Sequence, residues 1–226
     1  MRACRAWSRF WCSAIAARAR ICAGCGAHPR AHHQCWYRRD GRHACWGRPL
    51  NLHAAQYDTA NLPYKVAVLC YLWDAEGRIL MLHRKKPPNI DMYSPVGGKL
   101  EISRGESPHE CAIRELHEET GLALADEEMR MFGMVSERAY QGEMHWLIFL
   151  FECTRHVRAE EIPMTEFDEG RLEWIVGADV EKLPIPITDR EIMWPLVRAH
   201  RGGYFSVDID CSTQPMSHRV RETRPA

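Results

Sequence analysis

Glu115, Glu118 and Glu119 stand at i, i+3 and i+4, a spacing that puts three carboxylates on one face of an α-helix. The one opposite charge within that stretch is Arg114, one step round the helix. Clustered carboxylates repel one another unless a cation sits among them. A hard divalent ion such as Mg²⁺ takes oxygen ligands of this kind. A solvated acidic stripe on a surface helix would show the same spacing, so the flanking residues must decide.

Those flanks describe a helix held against a loop. Ser107 followed by Pro108 is a cap and first-turn pair, and Glu110 completes a capping box. Cys111, Ala112 and Leu116 form the apolar side, and Gly121 ends the helix just past its last turn. Upstream, Gly97 and Gly98 open an extended loop that finishes at Gly105 and Glu106. A glycine pair lets backbone approach a metal or phosphate closely. Arg114 follows Glu106 by eight residues, so the two can pair across the loop–helix junction and steady the carboxylate face.

The stretch from Gly97 to Leu122 resembles the signature of the Nudix hydrolases, G-x5-E-x7-R-E-U-x-E-E-x-G-U with U aliphatic. Glu106, Arg114, Glu115, Leu116, Glu118, Glu119, Gly121 and Leu122 fill every fixed position from the first glutamate onward. One departure is plain: seven residues separate Gly98 from Glu106, where the family has five. The extra pair falls at Ile102-Ser103-Arg104, in a loop, where insertions are cheap. The resemblance implies Mg²⁺-dependent hydrolysis of a nucleoside diphosphate linked to another moiety, with Mn²⁺ as a substitute. It implies Glu118 and Glu119 as principal metal ligands, Glu115 as ligand or general base, Glu106 as a further ligand, and Arg114 as the residue that holds the cluster. The Gly97 carbonyl is implied as a ligand too, subject to the insertion.

The elements that must position these residues read as follows. Tyr64–Trp73 and Arg78–Arg84 are apolar, β-prone runs around the turn Asp74–Gly77, and together predict a hairpin. Met92–Val96 leads to the glycine pair. After the helix, a strand is expected around Arg130–Glu137, a turn at Tyr140–Glu143, and at His145–Cys153 the most apolar strand of the chain, which should be central. Arg171–Val176 is a further strand, Asp179–Leu183 a short helical turn, Asp189–His200 an amphipathic helix, and Gly203–Ile209 an edge strand. The tail from Ser212 is polar and expected to be loose. Strands and helices mix without strict alternation, which fits an α+β class. The resemblance specifies the Nudix fold, an α/β/α sandwich with a mixed central sheet.

Charge sums to zero over the 226 residues, but residues 1–50 hold ten Arg, no Lys, one acid (Asp40), six Cys, four His and four Trp. This break separates a Cys/Arg/His-rich segment (1–55) from the domain proper (60–211) and the polar tail (212–226). Cys22-x2-Cys25 has zinc-ligand spacing, but no standard second pair follows. The Arg-rich, acid-poor character also suits a targeting peptide. The reading that fits best is a start placed too early in a GC-rich upstream region. No run of eighteen apolar residues suggests a membrane span. Cys70, Cys111, Cys153 and Cys211 are scattered, as buried thiols of a reducing, cytoplasmic compartment would be. Nucleic acid is not expected as a partner; a homodimer is compatible with the family.

Asp168-Glu169-x-Arg171-x2-Trp174 resembles the segment before a late strand in Nudix enzymes that clean oxidised purine nucleotides. There, acidic residues contact the base or add a metal ligand; an acidic loop leading into an ordinary strand would look the same. Asn89, Met92 and Tyr93 lie where the family places base-contacting residues. Tyr140, Trp146 and Trp174 could stack a base or serve the core. The expectation is therefore hydrolysis of a pyrophosphate bond in a nucleotide, with 8-oxo-dGTP giving monophosphate and pyrophosphate as one candidate. Nucleotide-sugar or dinucleotide cleavage and a non-catalytic Nudix-fold regulator are the alternatives.

Overall fold

A computed structural model describes residues 36–37, 43–44, 61–87 and 89–226. The chain divides after Leu50. Of the first unit, the described part is an antiparallel pair, β1 (Trp36–Tyr37) with β2 (His43–Ala44). The zinc, targeting and start-site readings otherwise lie outside the described residues.

In the second unit, alternation along the strands builds two cores. On β3 (Tyr64–Tyr71) and just beyond, Val68, Cys70 and Leu72 face one way while Tyr71 and Trp73 face the other. On β4 (Arg78–Arg84), Leu80 and Leu82 oppose Ile79 and Met81 in the same manner. A strand whose two faces are both apolar is buried on both sides, and each face here has its own helix. The first core packs against Cys111, Ala112 and Leu116 of α1 (Pro108–Thr120). The second packs against Trp194 and Val197 of α2 (Trp194–Ala199). This is the expected α/β/α arrangement.

One sheet has five strands in the order β11-β10-β6-β7-β3, mixing parallel and antiparallel pairs. It comprises β3, β6 (Met129–Tyr140), β7 (Met144–Cys153), β10 (Tyr204–Asp210) and β11 (Ser217–Arg224). The other is antiparallel, β5-β4-β9-β8, with β5 (Tyr93–Pro95), β8 (Glu166–Phe167) and β9 (Gly170–Val176). The free edge of β3 joins them: Val68 N–H donates to Gly98 O at 2.9 Å, Cys70 N–H to Val96 O at 2.7 Å, and Leu80 N–H to Leu72 O at 3.0 Å.

Five expectations need correction. Tyr64–Trp73 and Arg78–Arg84 meet in a tight turn but not as a hairpin ladder; beyond the Trp73–Ile79 bridge β3 pairs with β7 and β4 with β9. β7 is interior, yet β6 holds the middle of the sheet. β10 is no edge: it runs parallel to β6 and is covered by β11. The tail is accordingly paired from Ser217 to Arg224, because an unpaired β10 backbone accepts the next strand whatever its side chains. The helix expected over Asp189–His200 opens instead as a π turn, Asp189–Met193, before α2. Pro195 lacks an N–H and its ring crowds the preceding turn, so the Trp194 N–H reaches back five residues to Asp189 O.

Candidate active site

The helix carrying the carboxylates is fixed at both ends. Glu110 N–H donates to Ser107 Oγ at 3.2 Å, and Ser107 N–H donates to Glu110 Oε2 at 2.8 Å. At the other end Gly121 adopts φ 74° and its N–H donates to His117 O at 2.9 Å. Between these caps the apolar side anchors α1 in the core, so the carboxylate face is directed by packing.

The two-residue insertion becomes a single outward 3-10 turn, Ile102–Arg104, closed by Gly105 at φ 69°. Ile102 is exposed at its tip. The two sides of the turn are tied together, the Glu101 N–H before it donating to Glu106 Oε2 after it at 2.8 Å. Arg114 meets Glu106 at two points, Nε–Oε1 2.7 Å and Nη2–Oε2 3.0 Å. Its Nη1 donates to Glu115 at 2.9 Å and to Glu118 at 3.0 Å. The guanidinium holds the Glu106 carboxyl well below its usual range, at about 2. Both Glu106 oxygens are engaged by donors, Oε1 by Arg114 and Oε2 by Arg114 and the Glu101 N–H, so this residue anchors Arg114.

Glu119 is buried, and its Oε2 accepts the Gly97 N–H at 3.1 Å. Burial, reinforced by the charges of Glu115 and Glu169, pushes its carboxyl up to about 8. Burial likewise raises Glu115. Gly97 therefore meets the cluster through its N–H. Gly98 forms a cradle: a Cβ there would fall on the Glu115 carboxylate. Glu118 stands at the rim, more than half exposed. Among the described residues no three His, Cys, Asp or Glu side chains already converge as a metal-holding group. Glu115 and Glu118 are instead bonded to Arg114, and Glu119 to Gly97. The donor set itself suits a hard cation: all ligands would be oxygen, and Glu119 is buried with the charges of Glu115 and Glu169 beside it.

Glu169 joins this group from the turn between β8 and β9, with Arg84 Nη2 at 3.8 Å. Asp168 does not. Its side chain is almost fully exposed and faces Lys86 at 3.8 Å, because the turn sends adjacent side chains in opposite directions. Lys85 pairs with Glu166. Tyr93 is also turned away: its ring stacks on His83 at 4.5 Å and its hydroxyl donates to Glu173 at 3.3 Å. Trp174 packs against the α1 core.

A cavity of ≈ 400 Å³ lies over the β3 edge. Gly97, Gly98, Arg84, Arg114, Glu115 and Glu169 line it, and so does a second set: Asn89, Glu137, Tyr140, Trp146, Thr188 and Asp189. Within the second set Tyr140 OH donates to Asn89 Oδ1 at 3.1 Å. Glu137 and Asp189 were not singled out by the sequence reading. For Glu137 the signal exists, since it falls on the inward row Val135–Glu137–Ala139 of an alternating strand. Asp189 was hidden as the first residue of an ordinary helix, and the π turn that places it leaves no sequence mark beyond Pro195.

The sequence profile of the NUDIX domain matches residues 63–194. An uncharacterized Nudix hydrolase, YvcI of Bacillus subtilis, is 26% identical over 119 residues, which is 52% of this chain and 70% of that protein. An RNA pyrophosphohydrolase of Brucella anthropi is 28% identical over 176 residues, covering 67% of this chain and 98% of its own length. The crystal structure of a MutT protein from Bacillus halodurans superposes with a TM-score of 0.54 at 25% identity, over 69% of this chain and 97% of that one. With its signature helix capped, its arginine paired across the loop and the profile spanning the whole site, the chain belongs to the Nudix family of hydrolases.

Proposed function

We propose that this Nudix hydrolase, which acts on pyrophosphate bonds, takes a nucleoside di- or triphosphate derivative in a Mg²⁺- or Mn²⁺-dependent reaction. An oxidised deoxynucleotide such as 8-oxo-dGTP, yielding monophosphate and pyrophosphate, heads the candidates. The observation that carries the reading is that one cavity is lined both by Glu115 of α1 with Glu169 and by Trp146, Tyr140 and Asn89. Its volume suits a ligand of nucleotide size.

Glu115, Glu118, Glu119 and Glu169 would hold the cation, which when bound neutralises pyrophosphate oxygens and makes water a better nucleophile. The chain's own residues do the rest. Arg114 fixes Glu115 and Glu118 in position through its bond to Glu106. Arg84 and Lys99, both on the cavity wall, offer positive charge to phosphate oxygens. A carboxylate of the group accepts the proton of the attacking water. Trp146 and Tyr140 supply flat faces for a base.

The test is product analysis over a panel: 8-oxo-dGTP, unmodified nucleoside triphosphates, a nucleotide sugar, a dinucleoside polyphosphate and, given the names of the relatives, a 5′-triphosphorylated RNA. Mg²⁺-dependent cleavage that disappears in Glu119→Gln supports the reading. No cleavage of any member would leave a non-catalytic binder.

A further inference from the structure

The turn between β6 and β7 is fastened by one imidazole. The two strands lose register between Glu137 and Tyr140, and Ala139 falls in the break. Ala139 has no exposure, and its N–H donates to His145 Nδ1 at 3.0 Å. Ala139 at φ 54° and Gln141 at φ 53° both take the left-handed conformation that non-glycine residues avoid. Such a backbone persists only where its surroundings enforce it. Two turn bonds, Gly142 N–H to Ala139 O at 2.9 Å and Glu143 N–H to Tyr140 O at 3.1 Å, lie within the turn itself. The His145 bond ties the turn to the strand that follows.

That bond dictates a protonation state. A backbone N–H donates only to a ring nitrogen with a free lone pair, so His145 is neutral here and carries its proton on Nε2. An imidazolium has an N–H on each nitrogen and would meet the Ala139 N–H donor to donor. The buried N–H would then have lost its acceptor. The groups around the ring come from three strands. Tyr64 of β3 lies 5.5 Å away, ring to ring, with its hydroxyl 3.3 Å from Ser136 Oγ of β6. Arg138 of β6 stands 3.8 Å from Asp210 of β10. Glu143 belongs to the turn, and Glu137, two residues before Ala139, lines the cavity. Tyr140 and Gln141 follow Ala139 directly and both donate to Asn89 Oδ1, at 3.1 and 3.3 Å.

We propose that His145 is a positioning residue: as a neutral imidazole it latches the β6–β7 turn, holds Tyr140 and Gln141 against Asn89, and lets them go when it is protonated. The side chain works at a distance from the chemistry, through the backbone of Ala139. Tyr140 and Asn89 line the cavity at the end away from the α1 carboxylates, so the latch governs ligand binding and leaves the chemical step alone. The ligand rests on the nucleotide reading above; the latch itself does not.

The experiment is amide hydrogen exchange at Ala139 in the full chain without metal. Protection over the intrinsic rate is compared at about pH 8 and about pH 5, the span in which histidine ordinarily changes charge. Protection in the parent should fall at least about tenfold at the lower pH, the order of one lost hydrogen bond. His145→Phe keeps a ring without an acceptor and should show the low value at both pH values. His145→Asn offers an amide oxygen that stays unprotonated and should show the high value at both, which separates His145 from Glu137 and the other acids nearby. With a nucleotide that the panel shows to be cleaved, His145→Phe at about pH 8 should raise KM at least about fivefold with kcat within about twofold, and His145→Asn should restore KM. Thermal unfolding confirms that both variants are folded. Equal protection of the parent at the two pH values, or loss of protection in His145→Asn, overturns the latch. A normal KM in a His145→Phe protein that has lost protection overturns the positioning role. A panel without cleavage overturns the nucleotide reading, and the exchange data alone then decide the latch.

Discussion

Arg114 and Glu106 are joined by two parallel bonds of 2.7 and 3.0 Å, across a loop two residues longer than the family pattern. The bond survives the insertion because the extra residues leave as an outward turn, and the backbone on its near side returns to Glu106 through Glu101 N–H. Arg114→Ala should therefore lower unfolding free energy by about 2–4 kcal/mol, a little under the roughly 3–5 kcal/mol for breaking a fully buried pair, because the Arg114 side chain keeps 21% of its exposure. Urea unfolding at neutral pH measures it. The pair also sets an acid limit. A carboxyl lowered from 4.5 to about 2 contributes stability above 4.5 that is lost as pH falls toward 2. Arg114→Ala should flatten that part of the pH–stability curve, and an unchanged curve would show that Glu106 is held by something else.

Glu119→Gln should reduce turnover by more than about 100-fold, beyond the 10- to 100-fold typical for losing a supporting residue of a metal site. The same change should not destabilise the metal-free protein, because it removes a buried group that resists ionisation up to about 8. Steady-state kinetics and metal-free melting, taken together, separate loss of a ligand from loss of the fold.

Gly98→Ala is a steric probe of the cradle. Its Cβ would occupy the position of the Glu115 carboxylate, so either the carboxylate or the loop must shift. We expect a loss of kcat of at least about tenfold, with KM for nucleotide less affected, since a small misplacement at the reacting centre is costly. A kinetically normal Gly98→Ala would mean that Glu115 works from another position.

Glu137 gives a pH prediction of opposite sign to Glu106. Its carboxyl is raised from 4.5 to about 7, so the folded state holds a proton that the unfolded state releases. Its cost is absent below 4.5, grows between 4.5 and about 7, and is complete above that. Facing it are Asp189 and Thr188 from the loop and π turn, Tyr140 on its own strand, and Cys211 after β10. Glu137→Gln should match the parent at pH 4.5 and exceed it at pH 8, by up to about 3 kcal/mol. Metal-free thermal melts at the two pH values test both sign and window.

The signature helix was fully legible: Ser107, Pro108, Glu110 and Gly121 act locally, and local capping does not depend on the rest of the fold. Arg114–Glu106 could be inferred from spacing alone, since it spans one junction. What spacing could not convey was partner choice between distant strands. Nothing within Tyr64–Arg84 says that β3 and β4 part after one bridge, because the decision lies with β7 and β9. The acidic motif was half legible for a similar reason: Asp168 and Glu169 are equivalent as letters, and only the turn sends one toward the cavity and its neighbour into solvent. Glu137 was readable in principle from its place in an inward row, but a lone acid there is easily passed over beside the crowded carboxylates of α1.

The outermost strand of the larger sheet has a bearing on how copies of this protein meet. β11 carries His218, Arg219, Arg221, Glu222 and Arg224, all exposed, along a rim whose neighbour β10 buries Phe205, Val207 and Ile209. A slip in register at Ser206/Val207 breaks the regular ladder behind it. A charged, irregular selvedge of this sort is a poor template for a further strand. Crowded molecules will thus tend to repel along this border instead of zipping into fibrils.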